Sequence, residues 1–206
     1  AKNVTFLDFF DQIGNIALNI DNHDITIENF LNFSHKDKKI SDYLTELISK
    51  IGENIVIKRV SFLKKEKNTE IFEYVHNAYR ANIGKIAVIL KAEVKELNDE
   101  VKKFGKNLCM HIAASKPIAF DQDNLEDSII KNEKEVQLSM IKSSGKPDNI
   151  IEKILDGKMK KFFSEVTLIN QPFILDPDKN IKETISEFST NNYFQIIKYN
   201  FFVLGL

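Results

Sequence analysis

Ser143-Ser144-Gly145-Lys146-Pro147 sits between two long charged helical patterns of the chain. It joins two charged, apolar-striped segments, 121–142 and 147–166. Gly145 suits the left-handed turn just past a helix end. Pro147 suits a first helical turn, where its missing N–H costs nothing. A helix stop followed at once by a helix start predicts an antiparallel helical hairpin. Its first helix carries Leu125, Ile129, Ile130, Val136, Leu138, Met140 and Ile141. Its second carries Ile150, Ile151, Ile154, Leu155, Met159, Phe162 and Phe163. These stripes are expected to zip together as a coiled coil. The chain on either side reads as one mixed body. The expected fold class is therefore α+β: two small antiparallel-sheet and helix subdomains, residues 1–69 and residues 70–120 with 167–206, and the hairpin inserted at 121–166.

Upstream of the hairpin, residues 4–18 carry Val4, Phe6, Leu7, Phe9, Phe10, Ile13, Ile16, Ala17 and Leu18 on one broad helical face. Asp21-Asn22 mark a turn, and 25–33 reads as a short helix. His35 to Lys39 reads as a polar loop, and Ser41 as the cap of a helix that Gly52 stops. Residues 54–63 are rich in β-branched side chains and predict a strand, interrupted by Lys58 and Arg59. Residues 70–76 and 83–91 predict two more strands, with a loop at 77–82. The third strand is nearly all apolar, so burial on both faces is expected. A surface helix over a sheet is expected at 94–115, ended by Pro117. Downstream, Gln171-Pro172 and Asp176-Pro177 predict an extended crossing, 181–188 a short helix, and 193–204 a last strand.

Composition narrows the function. With 43% hydrophobic and 29% charged residues the chain is globular rather than disordered. A net charge of −1 lacks the basic footprint of a nucleic-acid binder, so no direct nucleic-acid partner is expected. The single cysteine, Cys109, excludes an intrachain disulfide framework and a multi-cysteine zinc site, and leaves an interchain bridge open. The four histidines are scattered without metal-ligand spacing, and neither a metal nor a cofactor is expected. No signal peptide and no membrane-length apolar run is visible, so a reducing, cytosol-like compartment and no membrane partner are expected. Ala1 at the start reads as a processed chain or a fragment.

Four stretches then converge. Lys50-Ile51-Gly52-Glu53-Asn54-Ile55 comes first, and Met110-His111-Ile112-Ala113-Ala114-Ser115-Lys116-Pro117 second. Ser144-Gly145-Lys146-Pro147, followed by Glu152-Lys153-Ile154-Leu155-Asp156-Gly157-Lys158-Met159-Lys160-Lys161-Phe162, comes third. Gln171-Pro172-Phe173 with Asp176-Pro177 comes last. In this order and spacing the chain resembles elongation factor Ts, the bacterial and organellar translation factor, over residues 1–204. The resemblance implies a non-enzymatic guanine-nucleotide exchange factor for elongation factor Tu. It would meet the GDP-bound and nucleotide-free forms, disturb the partner's Mg²⁺ and phosphate region, and promote GDP release. Ile51 and Gly52 match the family's contact at a helix end, and His76 its contact histidine. The loop Asn77-Ala78-Tyr79-Arg80-Ala81-Asn82 departs from the family's short Gly-rich turn, so no arginine role carries over. The family's Thr-Asp-Phe-Val wedge would lie immediately before Ala1, together with two strands and an N-terminal three-helix ubiquitin-associated-like domain. The strand at 54–63 is then expected to pair with a neighbouring molecule, to be covered by the 4–18 helix, or to sit in a disturbed subdomain. The compartment implied is the bacterial cytoplasm, with the mitochondrial matrix as alternative.

The plain readings stand beside these. Ile51-Gly52 is a helix stop on spacing alone. His76 reads as a strand-end surface histidine, and His111 as a partly buried structural one. His23 and His35 are loop histidines. Cys109 reads as an inert, buried thiol, and Lys158-Met159-Lys160-Lys161 as a solvated face. Gly105 and Gly145 stand alone and make no phosphate loop. The alternative function is a coiled-coil dimerisation module, pairing as a homodimer through the hairpin or an exposed sheet edge. An enzyme is the third class, and no constellation of residues supports it.

Overall fold

The computed structural model describes residues 3–20, 25–142 and 147–205. The expected turns at Asp21-Asn22 and Ser143-Ser144-Gly145-Lys146, and His23, lie outside them. In chain order the elements are α1 (Val4–Ala17), α2 (Ile27–Asn32), β1 (Ser34–His35), β2 (Lys38–Lys39), α3 (Ile40–Ile51), β3 (Thr69–Arg80) and β4 (Ile83–Val94). Then come α4 (Asp99–Ser115), α5 (Asp127–Lys142), α6 (Asp148–Val166), β5 (Pro172–Phe173), β6 (Asp176–Asn180), α7 (Ile181–Phe188) and β7 (Phe194–Val203). Helices with small antiparallel sheets make the fold α+β. The chain forms two compact units: residues 1–93 with 196–206, and residues 94–195.

The first unit starts with three capped helices. Asn3 caps α1 by accepting the Thr5 N–H at 2.9 Å, and Thr26 caps α2 by accepting the Asn29 N–H at 3.2 Å. The α3 cap is not Ser41: the helix begins one residue earlier, and the Asp42 carboxylate accepts the Lys39 N–H at 3.0 Å. Phe9, Ile13, Ile16, Ile20, Phe30, Ile40 and Leu47 form its core. The broad face expected of α1 is narrower, since Val4, Phe10 and Leu18 are exposed. The loop at His35 to Lys39 is a small hairpin, with Lys36 and Asp37 at positive φ in its turn.

Residues 54–63 are the main correction. They form no strand; they run without a ladder along the helical core. Ile55, Ile57, Val60 and Phe62 pack against that core, while Val56, Lys58 and Arg59 point outward. The burial alternation slips at Lys58-Arg59. The core this segment packs on is built from α1, α2 and α3 together. Side chains fasten the segment to the last strand: Arg59 donates to the Val203 carbonyl at 3.3 Å and lies over the Phe202 ring, and Asn200 donates to Ser61 Oγ at 2.7 Å.

The three-stranded sheet has the order β3-β4-β7. β3 and β4 pair antiparallel from Thr69↔Glu93 to Arg80↔Ile83, with a bulge between Ala78 and Arg80. The loop expected at 77–82 is therefore mostly strand, and only Ala81-Asn82 turn. Asn82, at φ 61°, supplies the left-handed residue. The far end of β4 is buried on both faces, as its apolar run implies: Leu90, Lys91 and Ala92 are all buried. Lys91 is satisfied by the Glu66 carboxylate at 2.9 Å, and this contact holds the Glu66 pKa below its usual value.

In the second unit, Asn98 caps α4 by accepting the Val101 N–H at 2.9 Å. The helix begins at Asp99 rather than near Val94, which ends β4. It has the two sides expected of a surface helix: Asp99, Glu100, Lys102, Lys103 and Lys106 are exposed, while Val101, Phe104, Gly105, Leu108, Cys109, His111, Ile112 and Ala113 are buried. α5 and α6 pack against each other, α5 starting at Asp127 rather than 121. Leu125, Ile141, Ile151 and Met159 are buried, whereas Val136, Met140 and Ile150 are exposed. Pro147 is the N-cap of α6, just outside its first turn. The chain segments that flank α5 and α6 meet: Ile118 N–H donates to Val166 O at 2.8 Å and Leu168 N–H to Ala119 O at 2.9 Å. The crossing at 171–177 folds back as the β5–β6 hairpin. Asn180 and Glu183 then cap α7 reciprocally, at 2.8 and 2.9 Å.

Candidate partner-binding surface

Ile51 and Gly52 lie side by side at the end of α3. Ile51 packs its side chain on the helical core and closes the helix. Gly52 is the C-cap, at φ 76° and ψ 14°, with its N–H on the Ile48 carbonyl at 2.8 Å. A residue with a Cβ is strained in this conformation, which is why glycine stands here. A Cβ built on Gly52 meets nothing within 4 Å, so the helix end opens to solvent. The pair stops the helix, as its spacing implied, and the Gly52 backbone is accessible.

His76 sits within β3, not at a strand end, and pairs with Ile86. Its ring is exposed, and Nδ1 lies 3.1 Å from the Tyr74 hydroxyl. His76 and the helix end belong to the same unit on different elements.

Two nearby residues escaped the sequence reading. Gly84, opposite Ala78, is where β4 crosses close to β3: a Cβ there would stand 2.5 Å from Val75 Cγ1 and 2.8 Å from the His76 carbonyl oxygen. A glycine inside an apolar strand run was the signal for it. Arg80, which carried no expected role, bridges Asp8 at 2.8 Å and Asp11 at 2.6 Å, fastening the hairpin tip to α1. No sequence pattern links residues so far apart.

His111 is fully buried rather than partly so. Gln171 donates its amide to the Glu165 carbonyl at 2.7 Å and the Ser115 carbonyl at 3.3 Å, so its Oε1 is left to accept from His111 Nε2 at 3.0 Å. The Ile174 N–H then donates to Nδ1 at 3.4 Å. Burial pushes the His111 pKa down, against the opposing bond to Gln171. The ring is a structural joint. Cys109 is buried and forms no disulfide, as its position among apolar residues implied. Among the described residues no three His, Cys, Asp or Glu side chains gather as a metal site, and no helix is long and apolar enough to cross a membrane.

The fold is that of an α+β protein with small antiparallel sheets and a packed pair of helices, α5 and α6. The chain belongs to the elongation factor Ts family, whose model matches residues 1–206. It is 34% identical over 189 residues to elongation factor Ts of Sinorhizobium fredii, covering 91% of this chain and 60% of that protein. Elongation factors Ts of Paracoccus denitrificans and of Ruegeria sp. are each 35% identical, again over 91% of this chain and 60% of theirs. The chain thus spans about 60% of the length of the curated relatives it matches.

Proposed function

We propose that this chain is the core of a guanine-nucleotide exchange factor for elongation factor Tu, acting without making or breaking a bond. The observation that carries the reading is the family match along all 206 residues. The open helix end at Gly52 supports a contact there, and the exposed ring supports one at His76. In this reading Ile51, Gly52 and His76 touch the GTPase, whose Mg²⁺ and phosphate region is disturbed. A surface that prefers the nucleotide-free partner must weaken nucleotide binding by the same coupling energy. The bacterial cytoplasm is where this work is done. The subdivision into 1–69, 70–120 with 167–206, and 121–166 belongs to the same proposal.

The test is GDP release from elongation factor Tu, followed with and without the chain, alongside calorimetric titration. Acceleration, or a complex weakened by Gly52→Val and by His76→Ala, is expected. Absence of any complex at high micromolar concentration overturns the reading. The exposed Val136, Met140 and Ile150 on α5 and α6 favour a second one, a helical dimerisation module. A robust dimer in sedimentation with no affinity for the GTPase would select it.

A further inference from the structure

The geometry points to a docking groove in the second unit for a basic segment of a partner protein, one that sets an apolar side chain between lysines or arginines. The groove, about 440 Å³, lies among α4, β6 and α7. Phe104 and Phe188 form its apolar side, stacked at 3.9 Å and 10°, with Phe194 edge-on to Phe104 at 5.1 Å. Three interlocked rings make a stiff, preformed surface.

The wall beside it is unusual. Ile174 and Leu175 are the turn residues of the β5–β6 hairpin, a place that ordinarily takes Asn, Asp or Gly. They are 38% and 55% exposed, and Leu175 lines the groove. A branched apolar pair at a turn tip gains nothing from water, whereas a covering side chain would bury it.

Charge selects the occupant. Glu100, Asp176 and Glu187 line the groove, and among the described residues its lining holds no lysine or arginine. Glu100 is oriented by the Asn192 amide at 2.9 Å. The rim already holds one ammonium group: Lys179 bonds to Glu187 and lies 3.6 Å from Asp176. Lys179 thus already answers two of the three carboxylates; an incoming Lys or Arg meets Glu100 and shares the other two, and an acidic segment is repelled by the remaining excess of negative charge. Its lining lies wholly within 94–195, whereas Ile51, Gly52 and His76 belong to the first unit, so the proposal rests on none of those three residues.

The test titrates the ¹⁵N-labelled 206-residue chain with an end-blocked peptide, Lys-Leu-Lys-Phe-Lys-Leu-Lys, and with the same peptide carrying Glu for Lys. The basic peptide is expected to shift amides at the start of α4, in the β5–β6 turn and along α7, more weakly as salt rises. The acidic peptide is expected to shift none of them. Glu100→Gln with Asp176→Asn and Glu187→Gln should weaken binding roughly fivefold or more. Leu175→Ser, at an exposed turn that leaves the fold alone, should weaken it severalfold. No binding, equal binding of both peptides, shifts mapping elsewhere, or affinity unchanged in both variants overturns the proposal. A self-dimer abolished by Leu175→Ser would assign the face to a second copy, and overturns it too.

Discussion

Residues 54–63 and 83–92 are written in nearly the same alphabet. Both are dominated by isoleucine, valine and other apolar side chains, broken by lysine. One becomes the central strand of a sheet; the other carries no ladder at all. The difference lies in the backbone's partners. β4 has β3 on one side, delivered by a two-residue turn, and β7 on the other. Segment 54–63 has helices beneath it, and a helix has spent its own N–H and C=O groups internally. It can bury alternate side chains there but cannot form a ladder. Apolar alternation therefore specifies a buried face, while a strand also requires a second chain segment with free hydrogen-bonding groups.

The comparison is broken most forcefully at Leu90, which is fully buried in β4. Leu90→Ala should cost about 3 kcal/mol in urea unfolding, and Ile57→Ala, half-buried in the unpaired segment, only about 1 kcal/mol. Equal costs would show that the segment is as firmly held as the sheet.

His111 carries the question of paired polar groups into the second unit. His111→Leu strands the Gln171 Oε1 and the Ile174 N–H, and should cost about 2 kcal/mol. The wild type should also lose stability as pH falls. Because the folded His111 pKa is depressed, its contribution is complete above the unfolded value, near 6.5, and declines as pH drops through that value towards the folded one. Denaturant melts of the wild type and the variant between about pH 7 and pH 5 read this directly. A pH slope unchanged in the variant would rule out His111 as its source.

Gly84→Ala probes how the paired strand is held. The new Cβ would press on Val75 and the His76 carbonyl, and a loss of about 1–2 kcal/mol is expected. It should also disturb the amide and ring signals of His76. Gly52→Ala is the smallest change, about 1 kcal/mol, because only the left-handed backbone is strained and the space around it is open. A larger loss of stability would mean that the helix end is more tightly packed than its exposure indicates.

Much of the fold was legible residue by residue. Ile181 to Phe188 is the helix its periodicity specifies, because Asn180 and Glu183 form a local capping box. Gly52 stops α3 by its own backbone preference. The helix end at Ile51-Gly52 was readable for the same local reason, whereas the contact roles of Ile51, Gly52 and His76 came from resemblance alone. The groove by Leu175 and the Arg80 clamp were not readable, since each depends on residues distant in sequence.

The order of local signals in the sequence alone determines the α+β class, the family and most helix boundaries. Capping, turn chemistry and 3.6-residue periodicity act within a few neighbours. Tertiary structure alone decided that 54–63 is not a strand, that His111 bonds to Gln171, and that Arg80 reaches Asp8 and Asp11. Each of these depends on which distant group is present to satisfy a polar atom. The stretch 143–146 announced the helical pair through its composition, but the pairing of α5 with α6 is a matter of facing apolar side chains.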